Sequence, residues 1–237
     1  MAIGHRDSAR SPLADQPDRL PHLVWDWNGT LFDDVPVVVA ATSESFQAAG
    51  LPAVTLADYH LHYTRPIQEF YQRVLGRSVS EAEWRALDDG FHRAYRRLLD
   101  AGEIDLVPGS RALLADWVAA GGTQSLLSMW HHDELVVQVD RLGIARLFTR
   151  IDGLRGPPGG RKEAYLRAHL TAAGVAADDA VVIGDSLDDA HAATAVGARA
   201  VLYTGGFHGP RALAGAGFPL VDSLDEAVRE AAAVARG

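Results

Sequence analysis

The chain contains no cysteine, which excludes disulfides, thiolate metal sites and a cysteine nucleophile. It has no excess of basic residues either: 22 Lys and Arg stand against 31 Asp and Glu, a formal charge of −9. The acids are spread along the chain rather than gathered in a tail. A surface of that sign offers nucleic acid and anionic membrane no electrostatic attraction. The two basic pairs, Arg96-Arg97 and Arg161-Lys162, lack the aromatic interleaving of a single-strand site. No uninterrupted apolar run reaches the length of a membrane span, and the N-terminus lacks the apolar stretch of a signal peptide. A cytoplasmic location is therefore expected. There is no internal repeat. What is present is 237 residues at 48% hydrophobic content, enough for one large domain or a domain with an insertion.

Residues 1–21 mix Arg, Asp, Ser and Pro without a period and are expected to be a disordered tail. His22 to Trp27 reads as a buried strand ended by turn residues. Val35 to Gly50 reads as a helix with Pro36 in its first turn. Further helical segments follow, at Thr55 to Tyr63, at Ile67 to Leu75, and from a Ser80/Glu83 capping box onward. In the last, Trp84, Leu87, Phe91, Tyr95 and Leu98 fall at helical spacing. From Leu106 strands alternate with helices: strands at Gln124 to Met129, Leu147 to Ile151, Ala180 to Ile183, Ala198 to Tyr203 and near Leu220-Val221. Helices lie between them, and a Pro/Gly loop runs from Gly153 to Gly160. Alternation at this spacing implies a parallel sheet with right-handed crossovers. The expected organisation is an α/β core with a Rossmann-like, three-layer arrangement, built from residues 22–35 and 105–237. An all-helical insertion occupies 36–104.

Three apolar strands end in reactive groups, Asp26, Ser128 and Asp185, and Lys162 opens the helix after the Pro/Gly loop. If the strands are parallel neighbours, these groups converge at the carboxyl edge of the sheet, where open α/β sheets bind ligands. The set fits phosphoryl transfer. A carboxylate can attack phosphorus, Asp26 and Asp185 are hard oxygen ligands for Mg²⁺, and Lys162 supplies a second positive charge. Ser128 Oγ and the amides of Trp27, Asn28, Gly29 and Thr30 would bind phosphoryl oxygens.

These residues resemble the haloacid dehalogenase-like superfamily of phosphohydrolases, in the phosphoglycolate phosphatase-like subgroup with a helical cap after the first motif. Asp26-Trp27-Asn28-Gly29-Thr30 is similar to the first motif, Asp-x-Asp-Gly-Thr, Ser128 to the second and Lys162 to the third. Gly184-Asp185-Ser186-Leu187-Asp188-Asp189 is similar to the fourth, Gly-Asp-x-x-x-Asp. The resemblance implies an Mg²⁺-dependent phosphatase acting on a small-molecule phosphate monoester through an aspartyl-phosphate. Asp26 would be nucleophile and ligand, with Asp185, Asp189 and the backbone carbonyl of Asn28 completing the metal site.

One position departs. The family's phosphatases carry an acid two residues after the nucleophile, and here it is Asn28. An amide neither gives nor takes a titratable proton, and general acid–base catalysis is worth roughly 10²–10⁴-fold. Several readings follow: a substitute acid/base, with His131 or His132 as candidates; a substrate whose leaving group needs no acid; a turnover-impaired binding or regulatory protein; or another enzyme of the superfamily, such as a phosphotransferase or dehalogenase. Among the remaining residues, Arg65 is a candidate substrate contact. Asp33 is read as the structural turn residue, Asp34 as a solvated helix-start carboxylate, and Trp25 as core. Trp27 is placed at the pocket mouth, and Trp84, Phe91 and Tyr95 in helix packing.

Overall fold

A computed structural model describes residues 20–102, 104–156 and 161–235. The expected disordered tail lies outside these residues except for Leu20 and Pro21. Six parallel strands form one sheet: β1 (His22–Trp25), β2 (Thr123–His131), β3 (Ile151–Leu154), β4 (Ala180–Gly184), β5 (Arg199–Tyr203) and β6 (Leu220–Val221), in the order β3-β2-β1-β4-β5-β6. The first strand is thus central, flanked by β2 and β4. Side chains alternate between two cores. Leu23, Trp25, Leu126, Val181 and Ile183 join one cluster, while Val24, Leu127, Ala180 and Val182 join the other. A strand buried on both faces reads as a continuous apolar run, as His22-Leu23-Val24-Trp25 does.

The first cluster is closed by α5 (Ser110–Ala119), α6 (His132–Arg141) and α10 (Leu224–Val234). The second is closed by α7 (Lys162–Ala173), α8 (Leu187–Val196) and the short α9 (Pro210–Leu213). This is the three-layer α/β arrangement expected. No helix among the described residues is long and apolar enough to cross a membrane.

Among the described residues, the named elements between β1 and α5 are all helices: α1 (Val35–Ala48), α2 (Leu56–His62), α3 (Ile67–Leu75) and α4 (Glu81–Ala101). Thr55 caps α2 in a full capping box with Asp58. Ser80 caps α4 by accepting from the Glu83 amide at 3.2 Å, but the expected reciprocal bond is absent. Glu83 instead pairs with Arg77 at 2.6 and 2.9 Å, because a guanidinium fork outcompetes a single amide for the carboxylate. Helices α1 and α4 approach closely at Gly90. A Cβ there would stand 2.4 Å from Ser45 Oγ, and Ser45 donates to the Leu87 carbonyl at 2.7 Å.

Two strand boundaries differ from expectation. The second strand runs on to His131. The third starts at Ile151 and includes Gly153 and Leu154, whereas residues 145–147 form a 3-10 turn. Gly153 is tolerated in β3 because a side chain there would strike the backbone of Trp130 and His132 at 2.7 Å. Residues 157–160 of the expected loop lie outside the described residues.

Candidate active site

Parallel register brings the expected residues to one edge. Trp25 is level with Leu126 on β2 and Ile183 on β4. Asp26 follows Trp25 directly, Ser128 lies two residues past Leu126, and Asp185 two past Ile183. The Asp26 amide still donates to the Ile183 carbonyl at 2.9 Å, so its backbone is fixed by the sheet while its carboxylate leaves it. Lys162, first residue of α7, reaches in from one side. It pairs with Asp26 Oδ1 and, at 2.5 Å, with Asp189 Oδ1.

The charges are unbalanced. Asp26, Asp185 and Asp189 each bring a carboxylate oxygen within 4.8 Å of the others. Burial disfavours all three as anions. Asp189 is nonetheless held below the usual carboxylate range, because the charge and hydrogen bond of Lys162 outweigh burial. Lys162 in turn is held well charged against burial by Asp189 and Asp26. Asp26 is pushed up to about 6 by burial, which Lys162 only partly offsets. Asp185 is pushed far up by burial and then by the charges of Asp26 and Asp189. Among the described residues only two of the three carboxylates, Asp26 and Asp189, bond to Lys162.

Asp185 is nevertheless built into place. Its Oδ2 accepts from the Phe207 amide at 2.5 Å. A Cβ at Gly206 would lie 2.1 Å from that oxygen, and one at Gly29 2.9 Å. A hard-oxygen cluster with unmet negative charge, held by backbone that leaves no room for side chains, fits a small divalent cation such as Mg²⁺. In the fourth motif the helix cap falls on Ser186. Asp189 completes the capping box through Oδ2 and keeps Oδ1 for Lys162, while Asp188 lines the cavity above.

The loop after β1 does not present all its amides outward. Gly29 donates to the Phe32 carbonyl and to Asp34 Oδ1, and Thr30 donates to the Trp27 carbonyl. The expected phosphoryl contacts from these two amides are therefore taken up by the turn itself. The Thr30 hydroxyl lies 3.5 Å from Asp26 Oδ2 and 3.4 Å from Asp185 Oδ1. Trp27 is not at the pocket mouth. It is fully buried and stacked on Phe32 at 5.0 Å, since the tight turn folds it under the loop.

Asp34 is the largest correction. It is wholly buried, whereas its neighbour Asp33 is exposed. Its Oδ2 accepts from Asn28 Nδ2 at 2.7 Å and from the Tyr95 hydroxyl at 2.7 Å, and its Oδ1 from the Gly29 amide at 2.9 Å. Burial still pushes it up to about 6, against those three bonds. The amide of Asn28 is thereby oriented. Its nitrogen faces Asp34, and its Oδ1 accepts from Ser128 Oγ at 3.3 Å. Ser128 Oγ in turn accepts from the Trp130 amide at 3.0 Å.

Above this floor is a cavity of about 370 Å³, bounded on its far side by α2, α3 and α4. Asp26, Asn28, Ser128, Lys162, Asp185 and Asp189 all line it. So do Arg65 and His131. The other candidate histidine, His132, does not; its Nδ1 accepts from the Gly153 amide at 3.1 Å, tying the start of α6 to β3. Arg65 makes no side-chain hydrogen bond or ion pair among the described residues. Burial opposes its charge, but Tyr63, Asp188, Asp26 and Asp189 outweigh it. Trp84, Phe91 and Tyr95 pack in the helical segment as expected and also line the cavity. Helical spacing identifies a face but not what that face meets.

Comparison with known proteins bears on the family and the fold. A model of the haloacid dehalogenase-like hydrolases matches residues 20–197. Phosphoglycolate phosphatase 1 of Pseudomonas aeruginosa is 28% identical over 204 residues, covering 83% of this chain and 74% of that protein. The phosphoglycolate phosphatase of Synechococcus elongatus is 26% identical over 195 residues, covering 82% and 88%. Among solved structures, a haloacid dehalogenase-like family protein from Streptococcus pneumoniae superposes with a TM-score of 0.76 at 18% identity, covering 89% of this chain and 98% of that one. That last likeness is one of fold.

Proposed function

Since the chain belongs to the haloacid dehalogenase-like hydrolases, we propose that it is an Mg²⁺-dependent phosphatase that hydrolyses a small-molecule phosphate monoester through an aspartyl-phosphate on Asp26. The observation that carries this reading is the state of the Asp26 carboxylate. Asp26 lines the cavity, and its Oδ1 is held by Lys162, whereas the hydrogen bond that Oδ2 receives among the described residues is a long one, from the Thr30 hydroxyl at 3.5 Å. One oxygen is anchored and the other is available to attack. The names of the similar phosphoglycolate phosphatases support the same class of ester.

In the first step Asp26 Oδ2 bonds to phosphorus and the ester oxygen leaves with the bonding pair. In the second, water attacks the acyl phosphate, releasing inorganic phosphate and restoring the carboxylate. Lys162 steadies the nucleophile and the phosphoryl oxygens, with Ser128 Oγ and the amides of Trp27 and Asn28 as further donors. Asp26, Asp185, Asp189 and the Asn28 carbonyl would hold Mg²⁺, which supplies charge neutralisation between two anions. Arg65 adds a second cation at the phosphoryl end. Asn28 supplies no proton, so esters with good leaving groups are the faster substrates. We read residues 22–35 with 105–237 as the catalytic core. Residues 36–104 form a cap that excludes water and selects substrate.

The test is phosphate release from a panel of alkyl and aryl phosphates with Mg²⁺, for wild type and Asp26→Asn. Release that disappears in the variant is the expected result. If no ester is turned over above that control, the amide at position 28 favours the second reading, a phosphate-binding or regulatory protein.

A further inference from the structure

We infer that the alcohol half of the substrate is a planar nitrogen heterocycle on a primary carbon, stacked in the aromatic cavity above Asp26 and donating a hydrogen bond to Asp88. This rests on the phosphatase reading and names the substrate class of that site.

Eight tyrosine, tryptophan and phenylalanine side chains line this one cavity, in a chain only 8% aromatic. Three of them, Trp84, Phe91 and Trp130, are only half-buried, so each leaves ring surface open toward the cavity. The cavity's 370 Å³ falls in the range of roughly 300–1,000 Å³ that encloses ring-bearing ligands. A two-carbon ester such as phosphoglycolate would leave most of it, and all of the outer rings, uncovered.

The polar groups divide the cavity into two ends. The cations, Lys162 and Arg65, both act on the acid cluster at the floor. On the α3 and α4 side the polar groups are Gln68, His92, His131 and one carboxylate, Asp88, which lies on the same stripe of α4 as Trp84, Phe91 and Tyr95 and 3.7 Å from His92 Nε2. A carboxylate set beside aromatic faces is the kind of polar group that fixes a ligand's orientation. It accepts hydrogen bonds and repels anions, so it suits a ring N–H or exocyclic amine and opposes a second acidic group. Stacking surface plus a carboxylate acceptor selects a flat, donor-bearing ring over an aliphatic chain or a sugar.

The experiment compares esters that share a primary alkyl leaving group, so the absence of an acid at position 28 handicaps all of them equally. Nucleoside 5′-monophosphates and pyridoxamine 5′-phosphate are set against phosphoglycolate, glycerol 3-phosphate and a hexose 6-phosphate. We expect kcat/KM to favour the heterocyclic esters by about tenfold or more, from one base–aromatic stack. Trp84→Leu and Asp88→Ala should each raise KM for the heterocyclic esters more than for phosphoglycolate, with melting temperature confirming that both fold. A preference for phosphoglycolate or the hexose ester, or a heterocycle KM that neither variant moves, overturns the inference and leaves the phosphatase reading intact. If no ester is turned over, that reading fails on its own. The inference is then judged by quenching of tryptophan fluorescence in Asp26→Asn. Tighter binding of the heterocyclic phosphates supports it, and equal or weaker binding than phosphoglycolate overturns it.

Discussion

Restoring the missing acid by Asn28→Asp should fail on its own, and Asp34 is the reason. The Asn28 amide donates to Asp34 Oδ2 at 2.7 Å. A carboxylate at 28 would replace that donor with a like charge at the same distance. Two unit charges 2.7 Å apart repel by about 6 kcal/mol at an effective dielectric near 20. The pair escapes most of that by binding one proton. Asp34 already sits at about 6, so protonating it at pH 7.5 costs about 2 kcal/mol, at 1.36 kcal/mol per unit. The single variant should therefore lose about 2 kcal/mol of stability at that pH. The folded state now holds a proton that the unfolded state releases, so the loss should grow as pH rises and shrink toward pH 6. Its new acid would be bonded to Asp34 rather than presented to substrate, and turnover of alkyl phosphates should not gain. In Asn28→Asp/Asp34→Ser the repelling charge is gone. The new carboxylate is met by hydroxyls at 34, Tyr95 and Ser128, and alkyl phosphate turnover should rise toward the roughly 10²–10⁴-fold that acid–base catalysis supplies. Urea denaturation at pH 6 and 8, with phosphate release for both variants, decides the matter. A single variant as stable as wild type at pH 8, or as active as the double, refutes the reasoning.

Gly206→Ala should leave the sheet folded but displace Asp185, because its Cβ would lie 2.1 Å from Oδ2. Calorimetric titration should show weakened Mg²⁺ binding, and unchanged affinity would remove Asp185 from the proposed metal site. Arg65→Ala should raise KM more than it lowers kcat, since its guanidinium, without a partner among the described residues, serves binding; an equal loss in both would place it in the chemistry instead. His22 is held neutral in the fold, lowered from 6.5 to about 4 by burial and then by His169. The unfolded chain binds that proton first as pH falls, so stability should drop by about 3 kcal/mol between pH 6.5 and 4. His22→Gln should flatten that part of the denaturation curve.

The central strands were legible because burial on both faces writes itself as an uninterrupted apolar run, and the run's abrupt end marks where chemistry begins. Asp26, Ser128 and Asp185 could be placed at one edge from that alone, given parallel neighbours. Boundaries were less legible where tertiary contact overrides composition. Gly153 reads as loop but lies in β3, because the neighbouring strand's backbone needs the space a side chain would fill. The pair Asp33-Asp34 shows the same limit within a site. Two identical residues follow a turn, and only the three-dimensional path of the loop decides that the second is swallowed and the first left in water.

What the chain could not disclose is the set of donors that hold the reactive carboxylates. A backbone amide leaves no mark in composition or spacing. The Phe207 amide fixes Asp185, while the Phe207 ring packs against Tyr59 and Tyr63 at 5.6 and 5.3 Å. One residue of the β5–α9 loop thus touches both the acid cluster and the helices over it. The carboxylate proposed to bind metal and the wall proposed to choose the substrate share a support, so any shift of α2 large enough to move the Phe207 ring must also pull on the amide at Asp185. Replacing the ring while keeping the amide separates the two functions. Phe207→Leu should loosen α2 and raise KM for the substrate, with Mg²⁺ affinity altered only as far as the amide moves. If the variant's melting temperature and KM both match wild type, the shared support does not exist, and the cap helices are positioned by their own packing alone.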